Sequence, residues 1–80
     1  MGTKLKQIRV SAGLTQLELS NMTRINLRTL QYYEQGSKKI EHAKLETILK
    51  LCVALNKEIS EIIDDDTLLS LYEKYMNPVE

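Results

Sequence analysis

Several side chains between Asn26 and Gly36 could bind a polar, charged ligand from one face of a helix. Asn26 is a good N-cap residue and Gly36 suits the left-handed conformation that ends a helix, so the segment between them is predicted to be helical. Leu30 and Tyr33 can turn inward at i, i+3 spacing. Five residues then lie on the outer face: Leu27, Arg28, Gln31, Tyr32 and Gln35. Arginine, glutamine and tyrosine hydrogen-bond to base edges and phosphates, so this face indicates contact with nucleic acid.

A second helix is predicted immediately before this one. Thr15 is a good N-cap, and Glu18 three residues later completes a capping box, so a helix should begin at Gln16. The two helices are joined by a tight turn, which makes a helix-turn-helix over about residues 16–35. The outward N-terminus of the first helix favours a bound phosphate.

These residues resemble the Cro and phage-repressor-like helix-turn-helix proteins, often called the XRE family. Within the motif the resemblance is carried by Gln16, Leu19, Ser20, Ile25, Leu30, Tyr33, Glu34 and Gly36. It extends over residues 4–63 and implies a compact five-helix lambda-repressor-like DNA-binding domain. Two residues depart from the family pattern, since Thr23 stands where an apolar residue is more common and Arg24 where glycine is usual. A non-glycine residue at positive φ costs about 1 kcal/mol.

The resemblance implies two sets of contacts with double-stranded DNA. The base-reading residues in the major groove are Leu27, Arg28, Gln31 and Tyr32. The residues that hold the sugar-phosphate backbone are Gln16, Asn26, Thr29, Lys38 and Lys39. The alternative for the polar members is an ordinary solvated surface. Tyr32 could equally fold over the following loop, and Leu27 could be partly buried.

Glu34 is expected to have a structural role. An acid that faces DNA repels phosphates, whereas the matching glutamate of the family bonds to an arginine of the first helix, here Arg9. Arg9 and Glu34 are therefore predicted to form a partly buried pair that ties the second motif helix to the scaffold.

Charge is divided unevenly between the two halves of the chain. The 80 residues have a formal net charge of zero, which is unusual for a protein that binds nucleic acid. Residues 1–40 hold seven Lys or Arg and two Glu, however, whereas residues 41–80 hold four Lys and nine acids. The halves thus carry +5 and −5, and we predict a molecule that is basic at the motif and acidic at its tail.

The fold class predicted for this chain is all-α. Besides the motif, helices are expected at about residues 4–12, 43–55 and 60–63, with Ile40 as an apolar plug in the loop before the second of these. The inward stripe of the helix at 43–55 is predicted to be Leu45, Ile48, Leu49, Cys52 and Leu55. Asn56 suits the left-handed residue that ends it.

Residues 64–80 lie outside the resemblance and form a C-terminal helical extension of the domain at 1–63. Asp66 or Thr67 can cap a sixth helix that Pro78 ends. Its apolar stripe is predicted to be Leu68, Tyr72, Tyr75 and Met76. A helix of about ten residues is marginal alone in water, so the stripe needs a surface on the same molecule or on a second copy. The extension is therefore a candidate dimerisation element.

Other classes of site and of protein are disfavoured. His42 has no partner at metal-ligand spacing, and the acidic run at 64–66 lacks the spacing of a calcium loop, so neither a metal nor a cofactor is expected. No catalytic motif indicates an enzyme. Cys52 cannot form an internal disulfide and is predicted to be a buried thiol. No leader or membrane-spanning run is evident, so the expected location is the cytoplasm, in association with the nucleoid when DNA is bound.

The sequence therefore predicts a homodimeric transcriptional regulator, most simply a repressor, that binds specific double-stranded DNA. One alternative is an antitoxin or protein-interaction module, whose acidic half covers a basic partner or whose C-terminal helix binds another protein through Tyr72 and Tyr75. Another is a helical domain that has kept the fold and lost DNA binding.

Overall fold

The computed structural model describes residues 3–78, and every regular element in that range is helical. The elements are α1 (Lys4–Ser11), α2 (Gln16–Thr23), α3 (Leu27–Gln35), the 3₁₀ turn η1 (Ile40–His42), α4 (Leu45–Leu55), α5 (Ile59–Ile62) and α6 (Asp66–Met76). The all-α class is confirmed, as a five-helix domain followed by one short additional helix. None of these helices is both long enough and apolar enough to cross a membrane.

The predicted caps of the motif helices are present. The Thr15 hydroxyl accepts from the Glu18 backbone at 3.0 Å, and the Glu18 carboxylate accepts from the Thr15 backbone at 2.8 Å. The Asn26 side chain accepts from the backbone of Arg28 at 2.9 Å, and Gly36 ends α3 with φ of 81°. These bonds satisfy backbone groups that have no partner within the helix, and so fix where α2 begins and where α3 begins and ends.

Three helix starts differ from those predicted, and the smallest change is in α5, which spans Ile59–Ile62 instead of 60–63. Helix α4 begins at Leu45 because Ala43 and Lys44 are extended after the 3₁₀ turn. Helix α6 is capped by Asp65, whose carboxylate accepts from the Leu68 backbone at 3.1 Å, and not by Asp66 or Thr67. In a run of three aspartates each can cap a helix, and the chain before the helix decides which one does.

The centre of the domain is built from one side chain of each of the first five helices. These fully buried residues are Leu5, Leu19, Leu30, Leu51 and Ile62. Burial of each contributes roughly 1.5 to 3 kcal/mol. Ile40, the predicted plug between α3 and α4, is also buried. Helix α6 has no buried residue, and Leu69 is its partly buried contact with this core.

The predicted inward face of α4 is partly wrong. Ile48 and Leu55 are buried as expected, but Leu51 occupies the centre, Leu45 is 63% exposed and Leu49 is 45% exposed. Cys52, which was predicted to be buried, is only half-buried. Because apolar residues fill most positions of this helix, two different stripes satisfy helical spacing, and the packing of the other helices selects one of them. Leu45 and Leu49, which were predicted to face inward, therefore lie on an exposed apolar face of α4.

The stripe predicted for the last helix is also shifted. Leu69 and the half-buried Tyr72 lie against the domain, whereas Leu68, Tyr75 and Met76 are exposed. The rings of Tyr72 and Tyr75 contact each other, with centroids 6.4 Å apart. Most of the apolar surface of α6 thus faces outward.

Candidate nucleic-acid interface

Two buried hydroxyls shape the turn between α2 and α3. Thr23 Oγ1 donates to the Leu19 carbonyl at 2.8 Å and accepts from the Ile25 backbone at 3.3 Å. Ser20 Oγ donates to the Ile25 carbonyl at 2.6 Å. Thr23, which departs from the family pattern, therefore supplies hydrogen bonds to turn groups that are out of reach of water.

Arg24 takes the left-handed position of this turn. Its φ is 60° and it forms the C-cap of α2, where the family more often has glycine. The conformation costs about 1 kcal/mol, which the hydrogen bonds of the neighbouring hydroxyls are large enough to offset. The Arg24 side chain is exposed, so the substitution also adds a cation beside the motif.

The side chains of Arg9 and Glu34 form a bidentate ion pair between α1 and α3. Arg9 Nε donates to Glu34 Oε2 at 2.7 Å, and Arg9 Nη2 donates to Glu34 Oε1 at 3.0 Å. Arg9 Nη1 donates to the Leu14 carbonyl at 2.7 Å. Both charges are removed from water and hydrogen-bonded, which fixes the orientation of α3 on the scaffold.

A glutamine pair extends this ion pair to the outer face of α3. Gln16 Nε2 donates to Glu34 Oε1 at 3.1 Å, and Gln31 Nε2 donates to Gln16 Oε1 at 3.3 Å. We call the four residues Arg9, Glu34, Gln16 and Gln31 the glutamine relay. Each of its side chains restricts the next, so the relay fixes Gln31 in position before any ligand arrives.

The predicted base-reading residues lie on the outer side of α3, with unequal exposure. Arg28 is exposed, whereas Leu27, Gln31 and Tyr32 are half-buried. The Tyr32 ring lies beneath the ammonium of Lys38, 5.5 Å from Nζ to the ring centroid. Of the two positions considered for Tyr32, the structure therefore places it against the loop, where it supports a cation.

The predicted backbone contacts fall at two places. Asn26 is the N-cap of α3 and Thr29 lies in the first turn of that helix. The Asn26 Oδ1 is already occupied by capping, and its side-chain amide group remains. Gln16, Lys38 and Lys39 line an open polar groove of about 650 Å³ beside α3. The groove has a further cation, Lys6, that the sequence did not single out.

Lys6 could have been found from helix geometry. It lies one turn before Arg9, and Arg9 was already predicted to approach α3. A side chain at i−3 lies on nearly the same side of a helix. Glu41 and Asp64 also line the groove, so its lining has carboxylates beside the three lysines.

Comparison with known proteins identifies the part of the chain that contains this site. A family model described as helix-turn-helix matches residues 5–62, which cover α1 to α5 and stop before α6. The antitoxin PezA of Streptococcus pneumoniae serotype 4 (strain ATCC BAA-334 / TIGR4) is 28% identical to the chain over 75 residues. These residues are 94% of the chain and 46% of the antitoxin, so the chain spans about half the length of this relative. No solved structure matches the chain.

Proposed function

Since the chain belongs to the helix-turn-helix family of XRE type, we propose that it binds specific sequences in double-stranded DNA as a transcriptional regulator. The observation that supports this proposal best is the glutamine relay, which runs from the buried Arg9 to the outer face of α3. A recognition helix needs such support, because a base-reading side chain must be fixed before it meets the DNA. The outer face of α3 has the chemistry of a reading surface, and Arg28 on that face is exposed.

Base reading is assigned to four residues of α3. Arg28 forms no ion pair with the described residues, so its guanidinium is available to pair with guanine O6 and N7. Gln31 has an amide oxygen that accepts no hydrogen bond from the described residues, and a glutamine amide suits adenine N6 and N7. Leu27 and the Tyr32 ring edge suit a thymine methyl group.

The backbone contacts would set the position of α3 in the groove. Gln16 is the first residue of α2, so a phosphate beside it also meets the positive end of that helix. Lys38 and Lys39 would each neutralise a phosphate and release counterions. Lys6, on the same polar groove, is added to this set. Asn26 and Thr29 would bond to the phosphate nearest the start of α3.

The proposed form on DNA is a homodimer. One recognition helix reads too few base pairs for useful specificity, and a two-fold dimer reads two half-sites about 34 Å apart. A regulator of this kind most simply represses, by occupying a promoter. The proposal places it in the cytoplasm, associated with the nucleoid, and gives it no catalytic step.

A second candidate function is that of an antitoxin. It is favoured by the 28% identity with the antitoxin PezA and by the acidic half of the chain. In this case the protein would bind its own operator through α3 and a basic protein through its C-terminal half. Because the chain spans 46% of that relative, the comparison supports the DNA-binding half more directly than the partner-binding half.

Selection from random duplex DNA tests the main proposal. The full chain should enrich a two-fold symmetric site, and Arg28→Ala should lose preference at one base of each half-site. Lys57→Ala, which removes an exposed cation after α4, is the matched control and should select the parental site. A chain that enriches no sequence and is not retained on heparin at low salt would have kept the fold without the function.

A further inference from the structure

We infer that a second copy of this chain docks, about a two-fold axis, on the apolar groove between α6 and the α4–α5 side of the domain. The groove has a volume of about 630 Å³. Its floor includes Ile59 and Ile63, and its outer wall includes Leu68, Leu71 and Tyr75 of α6. The inference deepens the homodimer proposed above and rests on that function for its purpose, which is to bring two α3 helices to one operator.

Helix α6 is held in place at its beginning and left uncovered further along. The Lys4 ammonium donates to the Ile63 carbonyl at 2.8 Å, and the Lys4 backbone donates to Asp64 Oδ1 at 3.3 Å. These bonds anchor the chain just before α6 to α1. Leu71 is nevertheless 62% exposed and Tyr75 is 79% exposed. An apolar helix face fixed against an apolar floor is a preformed site for a further apolar surface.

The charges at the groove favour a second copy as its occupant. Glu41 lies on η1 and Lys74 lies on α6, and both line the groove. Neither forms an ion pair or a side-chain hydrogen bond with the residues at 3–78. In a two-fold interface each contact occurs twice with the partners exchanged. One acid and one base on a single apolar surface therefore allow Glu41 of each copy to meet Lys74 of the other.

Two other surfaces fit less well. A basic protein would bind at the acidic run at 64–66 and not at the groove. The groove has one acid and one base, so its lining has no net negative charge to attract such a partner. The exposed face of α4, which includes Leu49 and Val53, is a second apolar surface. Its one acid, Glu46, already pairs with Lys50 at 3.2 Å, which leaves Arg24 as a cation without an acid on the same surface. That face therefore offers no unpaired charges of both signs to orient a second copy.

Sedimentation of the full chain without DNA tests the inference. The parent should be a dimer, and Leu71→Glu should be a monomer, because a carboxylate would be buried in the interface. Glu41→Lys and Lys74→Glu should each raise the dissociation constant by about tenfold, since each places like charges together. The two changes combined should restore the parental value. Val53→Glu, which adds the same charge to the α4 face, is the matched control and should leave the dimer intact.

The outcomes separate this inference from the proposed function. A parent that sediments as a monomer, or a dimer dissociated by Val53→Glu and not by Leu71→Glu, would overturn the docking site. The docking site would also be overturned if the variant with both Glu41→Lys and Lys74→Glu failed to regain the parental dissociation constant. This second test remains valid if Leu71→Glu does not fold. A dimer that behaves as expected but selects no DNA would support the docking site and overturn the function.

Discussion

Arg9 binds both carboxylate oxygens of Glu34, at 2.7 and 3.0 Å, where the Glu34 side chain is 1% exposed. The two residues are 25 positions apart in the sequence and lie on different helices. A buried pair of this kind adds less net stability than its distances suggest, because both charges have been removed from water. Its loss is costly, since the remaining charge has no partner.

Glu34→Ala should lower the free energy of unfolding by about 3 to 5 kcal/mol, because it leaves the Arg9 guanidinium buried without a carboxylate. Urea denaturation of the two proteins measures the difference. The control is Lys50→Ala, which breaks the exposed pair of Lys50 and Glu46 and should cost less than about 1 kcal/mol. Coincident denaturation curves for Glu34→Ala and its parent would show that the pair does not stabilise the fold.

Arg28 and Lys38 should respond differently when each is replaced by alanine. Arg28→Ala should cost about 1 to 3 kcal/mol on the preferred DNA site and relax the preference at one base position. Lys38→Ala should weaken binding to all sequences alike and reduce the salt dependence of log K by about one unit, because one fewer phosphate is neutralised. Titration of preferred and scrambled duplexes at several salt concentrations provides both readouts. If Arg28→Ala bound the preferred site as tightly as the parent, α3 would not be reading the major groove.

Gln16 and Gln31 should be energetically coupled in DNA binding. Gln16 Oε1 accepts from Gln31 Nε2 at 3.3 Å, so removing either residue releases the other. The double variant Gln16→Ala with Gln31→Ala should therefore cost less than the two single variants added together, by about 0.5 kcal/mol or more. A double-mutant cycle on one duplex measures this coupling, and Gln35→Ala, on the same helix and exposed, is the control partner for Gln16→Ala. Costs that simply add would show that the relay does not position Gln31.

Cys52 should make stability depend on pH in the alkaline range. Burial raises the pKa of its thiol above the ordinary value of 9.0, and the nearby carboxylate of Glu58 raises it further. As the pH rises, the Cys52 thiol therefore loses its proton in the unfolded chain before it does so in the folded protein. The contribution to stability is complete below pH 9.0 and declines above it, as the unfolded thiol loses its proton while the folded one keeps it.

Chemical denaturation from pH 7 to 10, compared with Cys52→Ala, measures this effect. The parent should lose more stability over that range than the variant does. Alkylation of the folded protein should also be slower than alkylation in urea, because the thiolate is the reacting form. Parallel pH profiles for the two proteins would mean that the thiol is as well solvated in the folded state as in the unfolded one.

Apart from the Arg9–Glu34 pair, which the family resemblance implied, the features that could be predicted from the sequence are those set by neighbouring residues. Thr15, Asn26 and Gly36 act through backbone groups within a few positions of themselves, so their types and spacing were sufficient. The buried face of α4 could not be chosen in this way. Leu49 and Leu51 are equally apolar, and only the packing of neighbouring helices against α4 decides that Leu51 is the buried one.

In the candidate site, too, the features set by local spacing could be predicted, whereas those set by contacts between separate segments could not be predicted from spacing. That α3 has a polar outer face could be predicted, since it depends on helical spacing alone. The hydrogen bond from Gln31 to Gln16, and the position of Tyr32 beneath Lys38, depend on how separate segments meet in space. Local spacing contains no information about such approaches. The bond between Gln31 and Gln16 was not predicted, and the position of Tyr32 over the loop was one of two alternatives left open.

The order of synthesis determines when the central cluster of five side chains can close. Its last member, Ile62, is the final residue of α5, so the ribosome must release that residue before the centre can close. Synthesis delivers α1, α2 and α3 first, with Leu5, Leu19 and Leu30 still lacking two of their neighbours. Nascent chains that do not yet include Ile62 should therefore pack α3 less firmly than chains in which all five side chains are present.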